Sequence, residues 1–429
     1  MKVFKFGGAS LKDVSGFKNV CDILKQFEKE KLVVVVSAVG KTTNALEKVV
    51  ESYMSRDGAS ESLLGNIKET HIALCTELGI KDEHSLSELL DCFTDAEWKI
   101  EEEPIDSIEY VYDQIVSVGE LASGRLVYSY LRSQGLNAAY LDVRDILLTD
   151  EVYREAKVDW EETQRRVKAT VPKLLEKYDL VITQGFIGTT KDNNTTTLGR
   201  EGSDYTAAIL SYCLDAESMH IWKDVPGVLT GDPKIFENVQ KIDKLSYREA
   251  IEMTYFGAKV IHPKTIKPLQ NKNIPLYVRP FAQPSDTGTL VTMDKDFTYP
   301  PIVVVESNQV LVHIGVKDFS FVAENHLSKI FSILASLRVK VNAMRNSAIS
   351  FSLCFTDEVN KLRDLIEALK DDFLIEVERG LELITIRHSS ESIKAEMRRD
   401  KIILFEETMG STLQMVVKDV PIIKRKLQT

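Results

Sequence analysis

The chain has 429 residues, 44% of them hydrophobic and 28% charged, with 54 Lys and Arg against 65 Asp and Glu for a net charge of −11. That is globular composition with room for two or three domains, and the acidity speaks against a general nucleic-acid or anionic-membrane binder while allowing a local basic pocket. The five cysteines (Cys21, Cys75, Cys92, Cys213, Cys354) form no C-x-x-C pair, which disfavours zinc or a disulfide framework and fits a reducing cytoplasm.

Residues 2 to 6 read as a buried strand with charged flanks, not as a signal peptide, and no apolar run approaches the ~18 residues of a membrane span. The strand runs into "KFGGAS", residues 5 to 10. A double glycine there is either a tight turn or a cradle in which backbone N–H groups, a helix N-terminus and a lysine receive a phosphate. The residues alone leave both open. A helix is expected over 15 to 30, with Ser15 as its cap and Phe17, Val20, Leu24 and Phe27 on one face. "LVVVVSAVG", residues 32 to 40, is continuously apolar, as in a strand buried on both faces of a parallel sheet. Residues 1 to 40 thus predict a βαβ unit and an α/β sandwich.

Residues 44 to 132 carry helical patterns, with "EWKIEEEP" as a solvated face. Strand signals return at 137 to 143, 178 to 188, 218 to 229 and 274 to 281, with helices between. One α/β domain, residues 1 to 295, is expected. "TMDKDFTYPP" is a turn-rich link. From residue 300 to 429 the order βαββαβ with a partial second copy predicts tandem ferredoxin-like modules, with two short strands in 302 to 316.

Four further stretches carry candidate chemistry. "SAVGKTTN", residues 37 to 44, places small hydroxyl residues at a strand's carboxyl edge, for ligand binding or for capping the next helix. In "VSVGELASGRL", residues 116 to 126, Glu120 reads as a first-turn glutamate complementing the helix dipole or as a carboxylate for a substrate ammonium. In "TTTLGREGSDYTAAIL", residues 195 to 210, Ser203 or Asp204 is the expected cap, and the Arg200 guanidinium suits a carboxylate. "WKDVPGVLTGDPK", 222 to 234, with "FGAKVIHP", 256 to 263, reads as loops around a nucleotide, or as a hairpin with surface lysines.

These stretches, continuous and in order over residues 1 to about 295, resemble the aspartate kinases of the amino acid kinase family. The tail from about 300 resembles the paired ACT modules that follow the kinase domain in that family. The resemblance implies transfer of the γ-phosphoryl group of ATP to the β-carboxylate of L-aspartate, giving 4-phospho-L-aspartate and ADP, the first step toward lysine, threonine and methionine. It implies that Lys5 contacts the transferring phosphate over Gly7 and Gly8. Ser37, Thr43 and Ser203 would line the aspartate pocket, Glu120 would hold the α-ammonium and Arg200 a carboxylate. Asp204 would organise the catalytic lysine. Lys223, Asp224, Lys234 and Lys259 would surround the nucleotide. Mg2+ would come with ATP and no protein metal site is expected. A cytoplasmic homodimer or larger assembly is implied, with an amino-acid effector at the ACT interface.

The chain departs from the family pattern at named positions. Ala9 stands for a common threonine, Glu201 for a glycine, Lys223 for a threonine and Leu229 for an aromatic. Asn342 stands where many lysine-sensitive members carry aspartate, so feedback is expected to be weakened or to use another effector. The alternatives are a glutamate or acetylglutamate kinase, which the tail and "FGAKVIHP" disfavour, and a catalytically inactive amino-acid sensor with a kinase-like body.

Overall fold

A computed structural model describes residues 1–258, 261–294, 296–317 and 321–419. The chain divides into two compact units. One comprises Met1–Val228, Lys241–Ile251 and Val260–Phe297; the other comprises Leu229–Gln240, Glu252–Lys259 and Thr298–Thr429.

The first unit opens as the sequence pattern requires. Strand β1 (Lys2–Phe6) leads through a single 3-10 turn, Gly8–Leu11, into helix α1 (Val14–Lys25), and then β2 (Leu32–Val36). The cap of α1 is Asp13 and not Ser15: the Asp13 carboxylate accepts from the Gly16 amide at 2.9 Å, and the Ser15 hydroxyl itself donates to Asp13. A carboxylate is the stronger acceptor at a helix N-terminus, where it also meets the dipole. All five residues of β2 are buried.

Helices α2 (Thr42–Ser55), α3 (Ser60–Glu77), α4 (Glu83–Glu101) and α5 (Ile108–Ser133) follow. Strand β3 (Ala138–Tyr140), α6 (Trp160–Lys177), β4 (Leu180–Gln184) and the two short strands β5 (Ile187–Thr189) and β6 (Thr195–Thr197) lead into α7 (Gly202–Cys213) and β7 (Ser218–Lys223). The unit closes with β8 (Lys244–Ser246), α8 (Tyr247–Tyr255), which runs across the unit boundary, α9 (Pro263–Asn271), β9 (Leu276–Pro280) and β10 (Thr289–Thr292).

One eight-stranded sheet has the order β3-β4-β2-β1-β7-β9-β10-β8. It is parallel from β3 through β9, and β10 pairs with β9 antiparallel. Phe4, Phe6, Leu32, Val34 and Val36 share a core with Phe17, Val20 and Leu24 of α1 and Val111, Ile115 and Ala122 of α5. Helices α6, α7 and α9 cover the other face, completing a three-layer αβα sandwich. Each large apolar side chain so buried contributes about 1.5–3 kcal/mol.

The second unit holds a six-stranded antiparallel sheet. Its strands are β11 (Ile302–Val316), β12 (Val341–Asn346), β13 (Ser350–Thr356), β14 (Phe373–Arg387), β15 (Lys401–Met409) and β16 (Thr412–Asp419), in the order β12-β13-β11-β14-β16-β15. Its helices are α10 (Glu324–Ser336), α11 (Val359–Leu369) and α12 (Glu391–Arg398). The two short strands expected in 302 to 316 are one strand, β11, whose pairing with β14 shifts register between Glu306 and Gln309 and again before Leu311. That irregularity divides two βαβ-type modules sharing β11 and β14. Val310, Val312 and Ile314 pack with α10 and α11, whereas Val303 packs with Ile384, Ile386, Met415 and α12. The modules are therefore nested, the leading half of β11 belonging to the later one. Among the described residues no helix is long and apolar enough to cross a membrane.

Candidate active site

The parallel strands end level with one another. Phe6 pairs with Val36 and with Trp222, and Val36 pairs with Gln184. Gly7, Ser37, Gly185 and Lys223 therefore emerge together at the carboxyl edge of the sheet, where open α/β sheets receive ligands. Strand alternation then assigns directions. Phe4, Phe6 and Trp222 enter the core under α1 and α5, so Lys5 and Lys223 point to the opposite face, toward α7.

There they meet Asp204. Lys5 Nζ lies 2.6 Å from Asp204 Oδ1 and Lys223 Nζ lies 3.6 Å from Asp204 Oδ2, with the Asp204 side chain 3% exposed. Burial pushes this carboxyl upward, but the two ammonium groups outweigh it and hold Asp204 below the usual carboxylate range. Neither Ser203 nor Asp204 caps α7, as the sequence had suggested; both lie buried within its first turn. The cap position belongs to Glu201, at φ 54. A glycine would hold that conformation without strain. The Glu201 carboxylate instead reaches across and accepts the His262 backbone N–H at 2.9 Å. Arg200, just before it, is exposed.

The double glycine turns the chain and also brings two loops together. A Cβ on Gly8 would stand 2.6 Å from the Ala38 carbonyl oxygen and 2.8 Å from that of Gly40. Gly40 N–H donates to the Gly8 carbonyl at 3.1 Å. Gly7 lies over the Lys5 ammonium, which a Cβ there would approach to 3.4 Å. Ser37 N–H donates to Phe6 O at 3.1 Å, and Ser37 O accepts from the Ser123 hydroxyl at 2.6 Å. Thr43 sits half-buried in the first turn of α2.

Glu120 is not in a first turn. It lies mid-way along α5, so the helix-dipole reading falls away. The side chain is buried. It accepts a hydrogen bond from the Ala38 backbone and feels the Lys5 charge, while burial pushes its carboxyl up to about 8. Among the described residues its Oε2 has no hydrogen-bond partner. A buried carboxylate oxygen without a donor is costly, and a cation brought by a ligand would satisfy it.

Asp224 is exposed beyond the end of β7. The segment 222 to 234 forms no hairpin: β7 ends at Lys223 and irregular chain follows. Lys234 falls in Leu229–Gln240 of the second unit, exposed, with its backbone N–H donated to Asp232 Oδ1 at 2.9 Å. Lys259 lies outside the described residues. The sequence reading missed two residues. Ser123 braces the Ser37 carbonyl. Asp113 has no exposed surface and accepts hydrogen bonds from Arg154 and Thr197. Its signal was a carboxylate two helical turns before Glu120 on the same face of α5.

The amino acid kinase family model matches residues 1–280. Lysine-sensitive aspartokinase 3 of Escherichia coli (strain K12) is 32% identical over 397 residues, covering 90% of this chain and 86% of that protein. Aspartokinase 1, chloroplastic, of Arabidopsis thaliana is 31% identical over 88% of this chain and 67% of that protein. Among solved structures, E. coli aspartokinase III in complex with aspartate and ADP (R-state) superposes with a TM-score of 0.82 at 29% identity, covering 97% of this chain and 96% of that one. The same enzyme in complex with lysine and aspartate (T-state) gives a TM-score of 0.78 at 28% identity, over 100% and 98%.

Proposed function

The chain belongs to the amino acid kinase family, and we propose that it is an aspartate kinase, transferring the γ-phosphoryl group of ATP to the β-carboxylate of L-aspartate. The observation that carries this reading is the buried Asp204 between Lys5 and Lys223, beside a Glu120 carboxylate with an unpartnered oxygen.

The substrate's β-carboxylate, with an ordinary pKa of about 3.9, is already a nucleophile at neutral pH. No general base is required. The barrier lies in bringing an anion against the polyanionic phosphates, so positioning and positive charge do the chemistry. Lys5, held straight by Asp204, would meet the transferring phosphoryl group above Gly7 and Gly8. Lys223, paired with the other Asp204 oxygen, would stand on the nucleotide side with Asp224; Lys234 and Lys259 are nucleotide contacts only as the family resemblance implies them. Ser37, Thr43 and Ser203 would line the aspartate pocket, Glu120 would accept the α-ammonium, and Arg200 would hold a carboxylate bidentately. Both Asp204 oxygens face ammonium groups, which suits Mg2+ carried in on the ATP phosphates, where it neutralises their charge. The presence of Lys5, Glu120, Arg200 and Asp204 counts against the inactive-sensor alternative.

Residues 1 to 295 would form the catalytic domain and 300 to 429 the regulatory ACT pair. Among the described residues the outer edge of β12 is unpaired, a surface on which a second copy could extend the sheet into a homodimer. An amino-acid effector would bind at that interface. Asn342, in β12, donates to Gln309 Oε1 at 2.9 Å, and an amide there cannot balance an effector ammonium as a carboxylate would. Five free cysteines suit a reducing cytoplasm. The deciding experiment is ADP release by purified protein with Mg-ATP and L-aspartate, beside L-glutamate and no acceptor, with Lys5→Ala as control. Aspartate-dependent turnover lost in the variant supports the reading; its absence in folded wild-type protein refutes it.

A further inference from the structure

Helix α5 carries a second buried carboxylate that the proposed chemistry does not use. Asp113 is 0% exposed. Arg154 N–H donates to both of its oxygens, at 3.1 and 3.0 Å. Thr197 N–H donates to Oδ2 at 2.8 Å and the Thr197 hydroxyl to Oδ1 at 2.7 Å.

These donors come from two separate stretches of chain. Arg154 belongs to the irregular segment 150–157. Thr197 ends β6, three residues before Arg200. The two stretches also touch each other. Ala156 N–H donates to Thr197 O at 2.9 Å, and a Cβ on Gly199, at φ +74, would stand 3.1 Å from Arg154 O and 3.3 Å from Glu155 Cγ. Gln114, the next residue of α5, donates to Thr195 O at 2.8 Å. One turn of α5 thus grips β6 and the neighbouring segment together, just where the chain leaves for Gly199, Arg200 and the first turn of α7.

A carboxylate suits this place because it only accepts, and three donors converge on it. Charge-assisted bonds of this kind are about twice as strong as neutral ones. Burial opposes the charge and lifts Asp113 to about 6, against the Arg154 and Thr197 hydrogen bonds and the Arg154 charge. A fold that needed only packing here would gain by a neutral side chain.

We propose that Asp113 is a positioning residue for substrate recognition, fixing the β6–α7 loop so that Arg200 is presented to the carboxylate of the bound amino acid. This rests on the aspartate kinase reading. It separates two parts of α5: Glu120 touches the substrate, and Asp113, two turns away, acts through Thr197 and Gly199 on the guanidinium that faces the substrate's other end.

Two measurements test it together on the full chain. The first is steady-state kinetics with aspartate and ATP varied separately for wild type, Asp113→Asn, Thr197→Val and Thr197→Ser. In Asp113→Asn the KM for aspartate should rise about tenfold or more, with the KM for ATP within about twofold. Thr197→Val should shift in the same direction and Thr197→Ser should restore the wild-type value. Equal rises for both substrates, or no change for aspartate, overturn the proposal. The second is hydrogen exchange. Amides of residues 197 to 202 should exchange about tenfold faster in Asp113→Asn, with β1 and β2 unchanged; unchanged protection there overturns the proposal whatever the turnover. Wild-type protein without aspartate-dependent turnover would refute the kinase reading, and the exchange experiment would still decide whether Asp113 holds the loop. If Asp113→Asn fails to fold, the Thr197 pair carries the same comparison.

Discussion

Lys5 Nζ and Asp204 Oδ1 stand 2.6 Å apart, joining the first strand of the sheet to the first turn of a helix about 200 residues later. The pair is almost fully shielded from water, so each charge depends on the other. Lys5→Ala should lower turnover by about two to three orders of magnitude, the usual loss when one preorganised donor is removed from a transition state. It should also destabilise the fold by up to about 3–5 kcal/mol, reduced by what Lys223 retains of the pairing. Chemical denaturation checks the second point: adding Asp204→Asn to Lys5→Ala should recover stability and not activity.

Gly8→Ala is expected to damage both fold and catalysis. Its Cβ would meet two backbone carbonyl oxygens at 2.6 and 2.8 Å, neither of which can rotate away. A cost of about 1–3 kcal/mol follows for such overpacking, with the loop between β1 and α1 displaced from the phosphate position. Thermal unfolding and the KM for ATP report the two effects; a variant with wild-type values for both would refute the close-approach role.

Glu120 links substrate binding to protons. Its carboxyl titrates at about 8 in the folded protein against an ordinary 4.5. Between those values the folded chain keeps a proton that the unfolded chain has lost. The contribution of this group to stability is therefore greatest below about 4.5 and declines as pH rises toward 8. An incoming ammonium demands the ionised form. Aspartate binding at pH 6.5 should thus release close to one proton, measurable by calorimetry in buffers of different ionisation enthalpy. Glu120→Gln should abolish that release and weaken aspartate binding by about 3 kcal/mol, roughly a hundredfold. Proton-silent binding to the wild type would sink the assignment.

Glu201→Gly sets two terms against each other. The left-handed conformation at φ 54 costs a non-glycine residue about 1–2 kcal/mol, and the hydrogen bond to the His262 amide is worth about as much. Stability should change by less than about 1 kcal/mol. The His262 amide, however, should lose protection in hydrogen exchange.

Lysine should inhibit weakly, with effects only at millimolar concentration, because Asn342 offers an effector ammonium an amide already engaged with Gln309. Asn342→Asp should strengthen inhibition about tenfold, the gain of a charged acceptor. Strong wild-type inhibition at sub-millimolar lysine would contradict this reading.

Much of this protein is legible in its sequence, wherever local chemistry decides. The continuous apolar run of β2 announces a parallel α/β sheet, while the glycines after β1 and the polar loop before α7 mark candidate ligand loops only when taken together with the other motifs. Periodicity found the helices but not their caps: Asp13 displaced Ser15, and Glu201 displaced Ser203 and Asp204. A cap depends on where the incoming chain bends, which neighbouring loops decide.

The sequence by itself determined the parallel sheet and carried the motifs through which the family resemblance names Lys5, Glu120 and Asp204 as candidates, because strand patterns and loop composition act over a few residues. Only the tertiary structure decided that Lys5 and Lys223 share one carboxylate, that Glu120 lies mid-helix with an oxygen unpartnered among the described residues, that β11 is one strand serving two nested modules, and that Asp113 binds Arg154 and Thr197. Those facts depend on contacts between residues far apart in the chain. Burial there alters the energy of a charge by more than any local pattern can signal.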